Sequence, residues 1–147
     1  RNSHHCSSHL ARWIELFLCR CKRSFPLHSH ADVGDFFILS GAVEVLRHDS
    51  TGCHWVEAKA GDFIDIPSNE RHAWRNRSNE PIVSLMILMR KMGSFFRKLA
   101  GLLPTLSTDE PEDLAHFAAV SAWHGYWNAT PEENAAAGAG IDLSFAP

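Results

Sequence analysis

Short apolar runs separated by turn residues follow one another between residues 26 and 89, and this pattern limits the possible folds more than any other feature. Runs such as Phe36–Leu39, Phe63–Ile66 and Ile82–Met89 are rich in β-branched, aromatic and aliphatic side chains. Glycine, proline or serine stands between successive runs, at intervals of about 8 to 12 residues. This spacing is typical of a β-sandwich or β-barrel, so we predict an all-β fold for this part of the chain.

The segment before these runs predicts one more strand and then a turn. Residues 11–21 alternate loosely between two faces that are both apolar in the middle. This fits a strand inside a two-layer barrel or sandwich, and a run this short also fits a buried helix. Residues 22–25 have the composition of a turn. Pro26 has no backbone N–H to donate, so we do not expect it in the interior of a central strand.

The pattern changes to helical spacing after Met92. Residues 93–103 place apolar side chains on one face, and Ser94 is the expected cap of this first helix. Residues 112–123 predict a second helix, and the run Thr130-Pro131-Glu132-Glu133 is a capping box that predicts a short third helix. We therefore divide the chain into a polar N-terminal tail (1–10), a β-barrel (11–92) and a C-terminal helical extension packed on the barrel (93–147).

Composition excludes several classes of partner. The net charge is −3 with a pI of about 6.4, so the chain has no global attraction to nucleic acid. No apolar stretch reaches the roughly 20 residues needed to span a bilayer, and we expect no membrane partner. The four cysteines are few and irregularly placed, which favours free thiols in a reducing compartment over a disulfide framework. We therefore expect a cytoplasmic protein.

The run Pro26-Leu27-His28-Ser29-His30 holds two histidines that are two residues apart. On an extended chain both side chains project from the same face, which is the spacing by which one strand offers two imidazoles to one metal ion. Taken alone, such a pair also fits histidines that only satisfy hydrogen bonds. Its meaning therefore depends on the rest of the central stretch.

Two ordered motifs in that stretch resemble those of the cupins. The first cupin motif has two histidines separated by one residue, a glutamate and then a glycine, and His28, His30 and Gly41 match it. The second motif has a glycine, a proline, a second glycine, a histidine and an asparagine at fixed spacing. Here its positions hold Gly61, Pro67, Asn69, His72 and Asn76. Asn69 replaces the second glycine, and asparagine tolerates left-handed backbone angles better than other non-glycine residues.

The resemblance implies a double-stranded β-helix barrel that holds one divalent metal ion through His28, His30 and His72. The carboxylate position of the first motif is Gly34, which has no ligand to offer. Asp35 is one residue out of register and faces inward only if the strand bulges at Gly34. Asp32 shares the parity of the two histidines but is expected in a loop, so the choice between the two acids as catalytic residue stays open.

The lining of such a barrel follows from strand parity. Phe36 and Ile38 share the phase of Gly34, and Trp74 and Asn76 share the phase of His72. We predict these four residues as substrate-binding. Walls of this kind favour a small aromatic or apolar oxygenated compound held over the metal.

The run Gly93-Ser94-Phe95-Phe96-Arg97-Lys98-Leu99 is similar to the helix that follows the barrel in one-domain cupins described as quercetin dioxygenase-like. The resemblance implies a metal-dependent dioxygenase, with a non-catalytic ligand-binding or sensory cupin and a metal-dependent isomerase or lyase as alternatives. Three imidazoles leave the metal open among Fe, Ni, Cu, Mn and Zn. Cupins often pair through barrel edges, so we expect a homodimer.

Overall fold

A computed structural model describes residues 13–19, 24–78, 80–100 and 111–139 of the chain. The strands of the described residues are β1 (Trp13–Cys19), β2 (Ser24–Ser29), β3 (Gly34–Ser40), β4 (Ala42–Asp49), β5 (Gly52–Lys59), β6 (Phe63–Ile66), β7 (His72–Arg75), β8 (Ile82–Leu88) and β9 (Trp127–Asn128). The helices are α1 (Arg90–Ala100), α2 (Pro111–Trp123) and α3 (Pro131–Ala136). The predicted tail lies outside the described residues. The division into tail, barrel and extension stays a prediction.

The strands form two antiparallel sheets whose inner faces enclose the core. One sheet has the order β1-β8-β3-β6 and the other the order β5-β4-β7-β2-β9. Along β3, Gly34, Phe36 and Ile38 are buried, whereas Phe37 is exposed. This alternation follows from the two-residue period of a strand, which turns successive side chains to opposite faces. The predicted all-β barrel with C-terminal helices is confirmed.

Pro26 lies inside β2, which runs between β7 and β9, so the expectation that it would fall outside a central strand was wrong. The register between β2 and β7 shifts between Phe25 and His28. Such an irregularity interrupts the regular ladder of hydrogen bonds, and a residue without an N–H is tolerated there.

Motif residues occupy the turns that require unusual backbone angles. Gly41 has a φ of 80°, and a Cβ built on it would lie 2.8 Å from the carbonyl oxygen of Pro81, so a side chain does not fit. Gly61 has a φ of 97° and Asn69 a φ of 62°. Asn69 therefore adopts the left-handed conformation that the second glycine of the motif would adopt, as its short polar side chain permits.

The helices follow the predicted order with one shift. Helix α1 begins at Arg90, so Ser94 lies within the helix and is not its cap, contrary to the prediction. The second helix is confirmed over Pro111–Trp123. The capping box is also confirmed, because the Thr130 side chain accepts from the backbone N–H of Glu133 while the Glu133 carboxylate accepts from that of Thr130. No helix among the described residues is long and apolar enough to cross a membrane.

The segment after α2 returns to the barrel and completes one of its sheets. Strand β9 pairs with the His28–Ser29 end of β2. The backbone of Leu27 is held from the same side, because its carbonyl accepts from the N–H of Ala129 (2.9 Å) and its N–H donates to the side-chain oxygen of Asn134 (2.7 Å). The strand that carries His28 is therefore flanked by β7 on one side and by the C-terminal segment on the other.

Candidate metal centre

The three predicted metal ligands meet because β2 and β7 are antiparallel neighbours. His28 lies opposite His72 in the register of these strands, and His30 follows directly after β2. The loop before β7 is fixed to the same point of the chain. The N–H of Asn69 donates to the carbonyl of His30, and the Ser68 hydroxyl donates to the carbonyl of Ala31, each at 2.7 Å. The two motifs are thus joined by hydrogen bonds next to the histidines.

The imidazole rings form a compact, buried group. The ring centroid of His72 lies 4.2 Å from that of His28 and 4.8 Å from that of His30, and the centroids of His28 and His30 are 5.8 Å apart. The three side chains are at most 9% exposed. One ligand nitrogen from each ring lies within 4.8 Å of the others. Nitrogens about 2.1 Å from one ion lie at most about 4.2 Å apart, so the three rings lie close to the spacing that one ion requires.

Each imidazole is oriented by a backbone carbonyl two residues away. The Nδ1 of His28 lies 2.8 Å from the carbonyl of Pro26, and the Nδ1 of His72 lies 2.9 Å from the carbonyl of Glu70. The Nδ1 of His30 lies 2.6 Å from the carbonyl of Asp32. A carbonyl oxygen only accepts hydrogen bonds, so each Nδ1 carries the proton and each Nε2 keeps a free lone pair. This is the tautomer and the backbone support that metal-binding histidines use.

Burial keeps the three rings neutral. It lowers the pKa of His28 to about 4, and it also lowers the pKa of His30. The pKa of His72 lies well below its usual value, mainly because of burial and then because of the neighbouring His28 and His30. Neutral imidazole is the form that binds a metal ion, so at pH 7 no proton has to be displaced from Nε2. The donor set therefore fits a divalent transition metal.

The structure supplies no carboxylate to this group among the described residues, since the ligand cluster consists of the three histidines. A Cβ built on Gly34 would lie 3.2 Å from the Phe36 ring and 3.6 Å from the Met92 sulfur. The position where the cupin motif has its glutamate therefore faces the inside of the barrel, as parity predicts. The Phe36 ring packs beside it and against Trp74, with centroids 4.6 Å apart.

The two acids considered as replacements lie in different places. The register of β3 is regular from Gly34 to Phe37 on both sides. The bulge that would turn Asp35 inward is therefore absent, and Asp35 belongs to the face opposite to Gly34. Asp32 lies in the loop after β2, and its carboxylate accepts a hydrogen bond from the hydroxyl of Tyr126 at 3.2 Å. A catalytic role for either acid stays a prediction, and the geometry favours Asp32.

A cavity lies over the three histidines and has two walls. Its volume is about 40 Å³. We call the described residues that line it from the strands, together with His30 directly after β2, the barrel wall: Phe25, His28, His30, Phe36, His72, Trp74 and Met86. We call those that follow the barrel the helical wall: Met92, Phe95, Phe96, Phe117 and Tyr126.

The predicted substrate-binding residues divide into two pairs. Phe36 and Trp74 line the cavity. Ile38 is fully buried in the core, and Asn76 holds a turn, because its side-chain oxygen accepts from the N–H and hydroxyl of Ser78 and its amide donates to the carbonyl of Glu80. Neither of these two is among the described residues that line the cavity, and a substrate role for them stays a prediction.

Sequence reasoning did not single out the helical wall. Helical spacing predicted the first two helices, but it gave no sign that Phe95 and Phe117 would face the histidines. Tyr126 is the only tyrosine of the chain and belongs to no motif. It packs against His30 with ring centroids 5.4 Å apart. Burial, and then the charge and the hydrogen bond of Asp32, raise the pKa of Tyr126 above its usual value, so its hydroxyl stays protonated.

One family model and several solved structures are similar to part of this chain. The family model described as "Cupin domain" matches residues 21–88, which include both motifs. No curated protein sequence matches the chain at a significant level.

Among solved structures, a protein with a double-stranded β-helix domain from Klebsiella pneumoniae is 17% identical with a TM-score of 0.44, over 52% of this chain and 64% of its own. A polyketide cyclase from Streptomyces resistomycificus is 22% identical with a TM-score of 0.47, over 53% of this chain and 54% of its own. A DMSP lyase from Ruegeria pomeroyi is 24% identical with a TM-score of 0.44, over 52% of this chain and 36% of its own. The chain thus spans less than two thirds of each of these proteins.

Proposed function

We propose that residues 21–88, which match the cupin family model, form a cupin domain in which His28, His30 and His72 bind one divalent transition metal ion for reaction with a small, apolar or aromatic oxygenated compound. The reaction we propose first is that of a dioxygenase. The observation that supports the proposal most is the set of three Nδ1-to-carbonyl hydrogen bonds, which leaves three neutral Nε2 atoms for one ion.

The residues of the chain have separate tasks in this proposal. The histidines would hold the ion, which would supply a Lewis acid for a substrate oxygen. Phe36 and Trp74 contact the apolar body of the substrate from the barrel wall. The Tyr126 hydroxyl, held by the Asp32 carboxylate, is the hydrogen-bonding group nearest to His30 on the helical wall. The apolar rings around the cavity exclude bulk water from the reacting groups.

Metal content of the purified protein tests the proposal. We expect close to one equivalent of a transition metal in the native protein by elemental analysis, and less than a tenth of an equivalent in His72→Ala. His116→Ala is the matched control, because His116 is an exposed histidine of α2 and should not change the metal content. A wild-type protein with less than a tenth of an equivalent, unchanged by His72→Ala, would overturn metal binding. Oxygen uptake with a turned-over substrate then separates a dioxygenase from an isomerase or lyase.

A non-catalytic ligand-binding or sensory module is the second candidate. Gly34 favours this candidate, because it offers no side chain at the position of the acidic ligand. Phe36 and Met92 border that position. Stabilisation of both the metal-free and the metal-loaded protein by a small molecule, without turnover, would support this candidate over the enzyme. A homodimer and a cytoplasmic location belong to the proposal in either case and are checked by sedimentation and by fractionation.

A further inference from the structure

The outer faces of the two sheets differ in what covers them. On the sheet that contains β2 and β7, Leu46 and Ala73 are buried in a cluster with Ala139 of the C-terminal segment. On the sheet β1-β8-β3-β6, the outward apolar side chains belong to none of the hydrophobic clusters that the described residues form. We call this second surface the open face, and its described apolar residues are Phe37, Leu39, Phe63, Val83, Leu85 and Ile87.

The apolar side chains of the open face adjoin one another. Phe37 on β3 lies opposite Phe63 on β6 and opposite Leu85 on β8. Directly opposed residues on neighbouring strands have Cβ atoms about 4.5–5.5 Å apart, so their side chains touch. Phe63 is 58% exposed, Leu39 46% and Phe37 37%. The open face is therefore a continuous apolar surface across three strands, and surfaces of this kind mark interaction sites more often than single exposed side chains do.

Two acids border the open face at one end. Asp35 on β3 lies opposite Asp65 on β6, one row beyond Phe37 and Phe63 along the strands. An apolar centre with a charged border is the arrangement of a protein–protein interface. Carboxylates beside the apolar centre disfavour insertion into lipid, where a buried charge is costly.

The shape and size of the open face fit a second sheet. Three strands of seven residues and the four-residue β6, about 4.8 Å apart with about 3.3 Å per residue, give a face of roughly 400 Å². Two such faces cover roughly 800 Å² of flat area, and the relief of the side chains brings the accessible area towards the ~1,200 Å² of small stable interfaces. Two sheets pack face to face at a distance of about 10 Å.

We propose that the open face binds the open face of a second copy of this chain around a twofold axis. A twofold contact is self-complementary, so one flat apolar surface is enough to form it. The axis runs across the strands, because an axis along them would bring the Asp35 and Asp65 pairs of the two copies together. The inference rests on the homodimer of the proposed function, and it assigns that dimer to a sheet face instead of the barrel edges.

Sedimentation of the full-length protein over a range of concentrations tests the inference, with Phe63→Glu and Leu39→Glu as the variants. Both side chains are largely exposed within one chain, so the variants should fold, and far-UV circular dichroism checks this. Every substitution occurs twice in a twofold dimer. A loss of about 10-fold per copy, as expected for a central aromatic anchor, therefore weakens association about 100-fold in Phe63→Glu. Leu39→Glu should weaken it in the same direction.

Trp123→Glu is the matched control, because it places the same charge on an exposed aromatic position of α2 and should leave association unchanged. A dimer of unchanged affinity in both face variants, or an equal loss in Trp123→Glu, would overturn the open face as the interface. A wild-type protein that stays monomeric would overturn the second copy as its occupant, and binding of that monomer to phosphatidylcholine vesicles would identify lipid instead.

Metal content separates this inference from the proposed metal site. His28 and His72 lie on the other sheet, so the monomeric face variants should contain as much metal as the wild type. Loss of the metal from a folded Phe63→Glu protein would contradict the separation of the two surfaces. A dimer without metal would overturn the proposed metal site and leave the interface intact, whereas a metal-loaded monomer would do the reverse.

Discussion

The two walls of the cavity differ in what holds their side chains in place. In the barrel wall, His28, His30 and His72 are each fixed by a hydrogen bond to a carbonyl two residues away. In the helical wall, Phe95 and Phe117 are held mainly by packing against other rings. Short-range hydrogen bonds keep their geometry when more distant residues change, whereas packing does not. We therefore expect the barrel wall to control metal binding and the helical wall to control stability and the choice of ligand.

The largest effect is expected when the helical wall loses its central ring. Phe117 is 1% exposed and packs against Phe25, His28 and Phe95. Phe117→Ala should lower the free energy of unfolding by about 3–5 kcal/mol, through lost burial and the cavity left behind. Urea unfolding of the metal-free protein measures this. Trp123→Ala on the same helix removes a side chain that is 70% exposed and should change stability far less.

Phe117→Ala also distinguishes the roles of the two walls. The hydrogen-bond partners of the three imidazoles all belong to residues 26–70, so the metal content of Phe117→Ala should stay within about twofold of the wild type. Loss of the metal from a Phe117→Ala protein that is still folded would contradict this, because it would show that the helical wall positions the histidines.

The second largest effect that we predict is a pH dependence of stability that arises in the barrel wall. The pKa of His28 is lowered to about 4 by burial, against 6.5 for an unperturbed histidine. Between these two values the unfolded chain binds a proton that the folded chain does not, so stability is full above pH 6.5 and falls as pH decreases towards 4. For His28 alone the loss at pH 5 is about 2 kcal/mol. Urea unfolding of the metal-free protein at pH 7.5 and pH 5 measures it.

A matched pair of variants isolates this contribution from the carboxylates that titrate in the same range. His28→Gln should reduce the difference in stability between pH 7.5 and pH 5, whereas His116→Gln, in an exposed part of α2, should leave it as in the wild type. Identical differences in all three proteins would mean that the buried imidazole of His28 does not cause the pH dependence.

The difference between the walls also explains which parts of the molecule the sequence could predict. The barrel wall depends on the spacing of residues along the chain, which is visible in the sequence. His28 and His30 share a strand face, and His72 follows Asn69 at the spacing of the second motif. Strand parity likewise placed Phe36 and Trp74 in the cavity. Asn76 shows what parity cannot predict. Parity gives the face of the strand on which a residue lies, but it does not show that the side chain forms hydrogen bonds within a nearby turn.

The helical wall depends on contacts between residues far apart in the chain, which no local pattern encodes. Tyr126 reaches Asp32 across 94 positions, and β9 is only two residues long. The prediction for Pro26 was wrong for a related reason. The shift of register at which β2 tolerates a proline arises from its pairing with β7. These features appear only when the chain is folded, because burial and pairing then override local preference.

The smallest effect that we predict tests how far backbone geometry alone supports the barrel wall. Asn69 has a φ of 62°, and its N–H joins the two motifs through the carbonyl of His30. Asn69→Ala should cost about 1 kcal/mol, because alanine is strained in the left-handed region, whereas Asn69→Gly should be within a few tenths of the wild type or slightly more stable. If alanine and glycine had equal effects on urea unfolding, the contribution of Asn69 would lie in its side chain, and the barrel wall would depend on specific side-chain contacts as the helical wall does.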